Sequence, residues 1–213
     1  MAFKVGVLGS GKVAQILASG FHGAGHTVTI GSREPSKLAE YTSTSGVANG
    51  SFAEVAASAE IIVLAVKGTA AESLVGQYAK ELAGKVVIDT TNPIADEPPE
   101  DGIVRYFTGP NDSLMERLQK AAPEARFVKA WNSVGNHLMI NPKLPGGRPT
   151  MFICGNDATA KAQVSALLDG FGWDVEDVGT VKGARAIEPL CQLWCAPGFL
   201  RNDWVHAYKV LKP

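Results

Sequence analysis

An α/β fold built on a doubly wound parallel sheet is predicted by three observations. Short apolar strands alternate with helix-length segments along most of the chain, the pattern of a parallel sheet covered on both faces. A glycine-rich turn, Gly9-Ser10-Gly11, joins the first strand to the first helix. Helix starts of the Ser/Thr-x-x-Glu kind recur between the strands: Ser51 with Glu54, Thr69 with Glu72, and Ser113 with Glu116. In each, the hydroxyl can accept from the third helical N–H while the glutamate reaches back.

The strand-like runs are Phe3–Leu8, Thr27–Ile30, a short Val47–Ala48, Ile61–Ala65, Val86–Asp89 and Phe127–Ala130. The first helix is marked by Val13, Ile16, Leu17 and Phe21, spaced as one helical face. Pro35 suits the first turn of another helix. The run 141–149, rich in Pro and Gly, breaks regular structure and marks a boundary. Beyond it come a strand, Thr150–Cys154, a helix capped near Gly155-Asn156-Asp157, and a strand, Trp173–Val178. The last stretch reads as two helices, with Leu200, Trp204, Tyr208 and Leu211 as an apolar stripe suited to core or to a subunit contact. From that stripe a homodimer is expected. The loop 94–102 holds four acids and follows the fifth strand, where it is either a solvated loop or a lid.

The chain has 213 residues and is 46% hydrophobic, enough for a sizeable core. Its net charge of −1 gives no basic surface for nucleic acid. The longest aliphatic run, Ile61 to Val66, is far short of the ~20 residues that span a bilayer, so no membrane segment is expected. No signal peptide is read at the N-terminus, and three cysteines fit a reducing cytoplasm. Cys191 and Cys195 share a helical face but form no zinc pattern, and no metal site is expected.

The chemistry starts at the turn. Gly9 permits the tight reversal, Gly11 leaves room for a pyrophosphate against the backbone, and Ala14 lets helix and strand pack closely. The helix start then offers free N–H groups and the positive end of its dipole to phosphate. A strand for NAD usually ends in Asp or Glu about 20 residues past the turn. Here the second strand ends in Gly31-Ser32-Arg33. A hydroxyl and a guanidinium suit the dianionic 2′-phosphate of NADP, and Lys37 can add a second positive charge. These features together spell a Rossmann-type NAD(P)-binding unit.

Ligands in such sheets sit at the carboxyl ends of the strands. The segments there are Gly9–Val13, Gly31–Arg33, Val66-Lys67-Gly68-Thr69, Thr90-Thr91-Asn92-Pro93 and Trp131-Asn132-Ser133-Val134. The cofactor-binding candidates are Gly9, Ser10, Gly11, Lys12, Val13, Ser32, Arg33, Lys37, Val66, Lys67, Asn92 and Pro93. Asn132 and Ser133 are the catalytic candidates. Amides such as Asn92 and Asn132 can bond a nicotinamide carboxamide or ribose hydroxyls. His137 lies in the loop that follows and is either a proton donor or simply exposed. No acid pair, metal cluster or activated nucleophile is visible. The absence of a proton relay points to hydride transfer to an acceptor with its own chemistry, such as a flavin ring.

The runs Gly9-Ser10-Gly11, Gly31-Ser32-Arg33, Val128-Lys129-Ala130-Trp131-Asn132-Ser133, Phe152-Ile153-Cys154-Gly155-Asn156-Asp157 and Glu188-Pro189-Leu190 resemble the NADPH-dependent coenzyme F420 (deazaflavin) reductases. They are equally similar to the cytosolic oxidoreductase domain of the six-transmembrane metalloreductases. The resemblance runs in order along nearly the whole chain. It implies a dinucleotide-binding domain over residues 1–142 and a small C-terminal α/β unit over residues 143–213 that completes the acceptor site. By matching position it places Ser10, Lys12, Val13, Ser32, Arg33 and Lys37 at the adenine-side phosphates, and Val66, Asn92, Asn132 and Ser133 near the nicotinamide. Some deazaflavin reductases carry His-Thr where this chain has Asn132-Ser133, and the haem-holding membrane helices of the metalloreductases are not in this sequence. The expected function is hydride transfer between NADP(H) and a flavin-type small-molecule acceptor, coenzyme F420, FMN or FAD. The alternatives are an NADP-dependent reductase of a small metabolite and an NADPH-binding module without turnover.

Overall fold

The computed structural model describes residues 2–212. Its elements run β1 (Lys4–Leu8), α1 (Lys12–Gly23), β2 (Thr27–Ser32), α2 (Ala39–Ser45), β3 (Ala48–Ser51), α3 (Phe52–Ser58), β4 (Ile61–Leu64), α4 (Gly68–Gln77), α5 (Ala79–Leu82), β5 (Val86–Asp89), α6 (Leu114–Ala121), β6 (Arg126–Lys129), β7 (Thr150–Ile153), α7 (Ala158–Gly170), β8 (Asp174–Asp177), α8 (Ala184–Ile187) and α9 (Pro189–Arg201). The first six strands form one sheet in the order β3-β2-β1-β4-β5-β6, all pairs parallel. This is the doubly wound fold the sequence predicts. The order reverses between β1 and β4, which opens a crevice at their carboxyl ends. Strands β7 and β8 form a separate parallel pair around α7. An antiparallel bridge between Lys129 and Cys154 ties that pair to β6.

Period-two alternation along buried strands feeds two cores. Val5, Val7, Ile61, Val63, Val86 and Ile88 face one side and pack with Ala14, Leu17 and Phe21 of α1. Leu8, Ile62, Leu64 and Val87 face the other and pack with α3, α4 and α6. The first core is continuous with the later part of the chain through Trp131, Met151, Val164, Phe171 and Trp173. Two tryptophan N–H groups there, from Trp131 and Trp173, both donate to the Met139 carbonyl, at 3.0 and 2.9 Å.

Of the three expected helix starts, Ser51 is a complete capping box. Its Oγ accepts from the Glu54 N–H, and the Glu54 carboxylate accepts from the Ser51 N–H at 2.7 Å. Ser113 likewise accepts from the Glu116 N–H. Thr69 does not cap: α4 starts two residues before a cap at Thr69 would place it, at Gly68, with Lys67 in the cap position. Pro35 opens a single 3-10 turn over Pro35–Leu38 that leads into α2.

The C-terminal expectation needs correction. Helix α9 stops at Arg201, where Asn202 adopts a left-handed φ of 57°, a conformation Asn tolerates. The chain then doubles back without helix. Trp204 packs against Trp194 and over Gly198, the Trp194 indole N–H donates to the His206 carbonyl at 2.8 Å, and Thr150 N–H donates to Tyr208 O at 2.8 Å. Leu200, Trp204, Tyr208 and Leu211 therefore form no helical stripe. The loop after β5 is solvent-exposed over residues 96–101, as one of its two readings had it, and it folds as a hairpin. Its ends pair at Ile94 and Tyr106, and its tip pairs at Glu100 and Ile103. Asp101 and Gly102, with φ of 48° and 80°, supply the two positive φ angles of a tight hairpin turn.

Replacing Ser51 by Ala removes the hydroxyl half of the capping box. The melting temperature is expected to fall by about 2–4 °C, and Ser51→Thr should restore most of it. Thermal unfolding followed by circular dichroism checks this.

Candidate active site

The glycine-rich turn sits where the sheet order reverses. Gly9 has φ +145°, and a Cβ there would collide with the Ala65 carbonyl, so only glycine lets the turn nest between β1 and β4. Gly11 is different. Its backbone is extended, and a Cβ would meet nothing within 4 Å. The open space lies directly above the start of α1, which no side chain caps. Backbone N–H groups thus face a concavity at the positive end of a helix.

That concavity widens into a cleft of 580 Å³. Eight expected residues line it: Gly9, Ser10, Gly11, Ser32, Arg33, Lys37, Val66 and Lys67. Lys12 and Val13 form the first turn of α1 beside it. The sequence reading missed its outer wall, made by Phe52 at the start of α3 and by Ala70, Ser73, Leu74 and Gln77 along α4. It also missed Glu34. Ser32 is buried and its Oγ accepts from the Glu34 N–H at 3.1 Å, which fixes the turn after β2. Lys37 Nζ lies 2.9 Å from Glu34 Oε1. Arg33 is exposed and makes no ion pair or side-chain hydrogen bond among the described residues. Two cations thus stand at the end of β2, one held by an acid and one free.

Farther along the sheet edge, Asn92 and Asn132 meet. Asn92 Nδ2 donates to the Asn132 carbonyl at 2.8 Å, and Asn132 Nδ2 donates to Asn92 Oδ1 at 3.2 Å and to the Ile187 carbonyl at 3.0 Å. Asn132 Oδ1 is buried without a hydrogen-bond partner among the described residues. Trp131, fully buried, carries a φ of 58°, a strained value for a bulky residue that reverses the chain just before Asn132. Ser133 is buried next to it. Pro93 is buried, and its carbonyl accepts from the Phe107 N–H at 2.9 Å, anchoring the base of the hairpin. Asn92, Pro93, Asn132 and Ser133 do not line the cleft; Gly68, next to the lining residue Lys67, packs its backbone against the Asn92 carbonyl, which a Cβ would strike. Lys67 is paired with Asp96 of the hairpin. His137 is exposed in a short 3-10 turn.

Below the amide pair in the same chain segments lies an ionic network that the sequence reading missed. Two acids share one lysine here. Lys129 Nζ is 2.7 Å from Asp89 Oδ2 and 2.9 Å from Glu188 Oε1, and the side chains of Lys129 and Asp89 are fully buried. Asp89 Oδ1 also accepts from the Thr91 N–H and hydroxyl at 2.9 and 2.6 Å. Glu188 accepts from the Leu114 and Met115 N–H groups, both at 3.0 Å, and so caps α6 from 74 residues away. The excess negative charge of the trio faces the positive end of that helix. Burial by itself would lower the Lys129 pKa, but Asp89 and Glu188 outweigh it and hold it above the ordinary 10.5. The one available signal was register: Asp89 and Lys129 close two apolar strands that must be buried neighbours, and they are indeed paired across β5 and β6.

The thiols differ in their surroundings. Burial pushes Cys154 up to about 12. Cys191 and Cys195 lie 3.9 Å apart on α9, and the contact raises Cys191 and lowers Cys195. Among the described residues no cluster of His, Cys, Asp and Glu could hold a metal, and no helix is long and apolar enough to cross a membrane.

Comparison with known proteins shows the family and the fold. Residues 4–93 match the family described as NADP oxidoreductase, coenzyme F420-dependent. A solved structure from Arthrobacter sp. FB24, described as a putative F420-dependent NADP reductase, superposes with a TM-score of 0.92 at 33% identity, covering 99% of this chain and 100% of that one. Metalloreductase STEAP3 of Rattus norvegicus is 32% identical over 188 residues, 88% of this chain and 36% of that protein. The F420-dependent NADP reductase of Methanocaldococcus jannaschii is 26% identical over 145 residues, 66% of this chain and 62% of that protein. The chain thus spans about a third of the length of the metalloreductase and under two thirds of that reductase.

Lys129→Met strands two buried carboxylates and is expected to cost about 3–5 kcal/mol in urea unfolding. Because the Lys129 pKa is raised, its contribution is complete below the unfolded value of 10.5 and fades only as pH climbs through the higher folded value. The difference between wild type and variant should therefore be the same at about pH 7 and about pH 9.5.

Proposed function

The chain belongs to the coenzyme F420-dependent NADP oxidoreductase family and is an NADP-dependent oxidoreductase; from that premise we propose that it transfers a hydride between NADPH and a flavin-type acceptor, coenzyme F420, FMN or FAD. The observation that carries the cofactor half is one cleft in which an uncapped helix start and an unpaired Arg33 stand at opposite places for a diphosphate and a 2′-phosphate. The residues fit the dinucleotide on three counts. Gly11 leaves the space a phosphate needs, Arg33 has no competing anion among the described residues, and Asn132 Oδ1 has a vacant acceptor.

Bound NADPH supplies the hydride. The first-turn N–H groups of α1, with Lys12 and Val13 at that turn, bind the diphosphate and exclude water from it. Ser32 and Arg33 hold the 2′-phosphate by charge-assisted hydrogen bonds, while Lys37, tied to Glu34, adds a weaker positive field. Val66 and Pro93 bound the nicotinamide end. Asn92, Asn132 and Ser133 orient the ring through amide and hydroxyl groups. The small unit 143–213 completes the acceptor side through the Ile187 carbonyl, which fixes Asn132.

The acceptor half rests on what the amide edge offers. Asp89, Lys129 and Glu188 are buried and already bonded to one another and to the Thr91, Leu114 and Met115 groups, so none is free to exchange a proton with a substrate oxygen. Amides orient rings but do not protonate a carbonyl leaving as alkoxide. A flavin or deazaflavin ring does not impose that demand. A cytoplasmic setting and a homodimer belong to the same proposal. The three cysteines are free, and Leu193, Phe199 and Leu200 of α9 are exposed apolar side chains that a second copy could cover.

Arg33→Ala is expected to weaken NADPH about 10- to 100-fold and leave NADH nearly unchanged in titration calorimetry; equal loss for both cofactors contradicts the 2′-phosphate assignment. Turnover of NADPH should be far faster with coenzyme F420, FMN or FAD than with simple ketones or aldehydes. In stopped-flow at saturating NADPH, Asn132→Ala should slow hydride transfer more than it weakens NADPH binding. Efficient reduction of a small carbonyl with no turnover of any flavin-type acceptor overturns the acceptor reading.

A further inference from the structure

We propose that Glu188 and Lys129, groups with no access to any ligand, are positioning residues for the nicotinamide end of the site. This rests on the proposed placement of that ring at the amide pair. Three chain segments meet in the ionic network, and the same three meet in the amide cluster. Asp89 precedes Asn92 by three residues at the end of β5. Lys129 precedes Asn132 by three residues at the end of β6. Glu188 follows Ile187, whose carbonyl takes the Asn132 Nδ2 proton at 3.0 Å. The network is therefore a lower layer that fixes the spacing of three strands of chain, and the amide cluster is the upper layer built on that spacing.

The two layers are coupled by short, stiff links. Asp89 and Lys129 are register partners, and the Ala130 N–H donates to the Asp89 carbonyl at 3.0 Å. Thr91, next to Asn92 and two residues after Asp89, gives both its N–H and its hydroxyl to the Asp89 carboxylate. On β6 the link is Trp131, locked at positive φ by full burial. On the third segment the two layers are adjacent residues. A shift of Glu188 thus moves the Ile187 carbonyl directly, and with it the amide whose Oδ1 is free.

Stability alone is a poor reason for this arrangement. A buried ion trio is often no better than well-packed apolar residues of the same volume. Its directional bonds instead specify one geometry among many that an apolar contact would allow, here at the segment that carries the vacant amide oxygen. The phosphate turn and Arg33 belong to β1, α1 and β2 and make none of these contacts, so the two ends of the dinucleotide should respond differently.

The test uses two probes on the full chain. NADPH reads the whole site, and 2′,5′-ADP reads only the adenine and 2′-phosphate end. In Glu188→Gln, NADPH affinity is expected to fall about 10-fold while 2′,5′-ADP stays within about 2-fold. Thr91→Val, a milder change, should shift the same ratio in the same direction by about 3-fold, and it serves where Glu188→Gln fails to fold. Loss of affinity for both probes alike, or for neither in a folded Thr91→Val protein, overturns the inference. Wild type that binds neither probe instead defeats the proposed cofactor reading, and this inference with it.

Discussion

The Lys129 ammonium group joins three parts of the chain that are far apart in sequence. It meets Asp89 on β5 and Glu188 at the junction of α8 and α9, and Glu188 in turn caps α6. No one of these charges would be tolerable alone in the interior, because an isolated buried charge costs several kcal/mol. Together they oblige the C-terminal helices to sit against the carboxyl edge of the sheet. The antiparallel bridge from Lys129 to Cys154 brings β7 to the same place. The edge where ligands gather in a doubly wound sheet is thereby roofed by later chain.

The other half of the site follows from backbone constraints. Gly9 has no room for a side chain and no ordinary conformation for one, whereas Gly11 has open space and an ordinary conformation. The first glycine builds the turn. The second leaves the turn usable. Gly68 resembles Gly9 in this: its missing Cβ lets α4 start against the Asn92 carbonyl.

Much of this was legible in the sequence because it is local. Most strand and helix identities, the capping box at Ser51, the N-cap at Ser113, and the cleft residues from Gly9 to Lys67 follow from period, cap chemistry and a short motif. What was not legible depends on partners distant in the chain. The Glu188 carboxylate finds its N–H donors 73 and 74 residues away. The C-terminal residues Leu200, Trp204, Tyr208 and Leu211 recur at helical spacing, yet Trp204 gains more by packing on Trp194 and Gly198, and Asn202 permits the reversal. Local spacing and tertiary packing disagreed there, and packing won. The hairpin tip at Asp101-Gly102 was a readable turn signal that the acidity of its surroundings obscured.

The central claim is that one dinucleotide lies along the sheet edge, its 2′-phosphate at Ser32 and Arg33 and its nicotinamide at Asn92 and Asn132. A crystal structure with NADP bound tests it most directly. The account predicts phosphate oxygens within about 3 Å of the Arg33 guanidinium and the carboxamide nitrogen within about 3 Å of Asn132 Oδ1. A dinucleotide whose nicotinamide leaves the edge and points to solvent, with Asn132 Oδ1 still unpartnered, would contradict it.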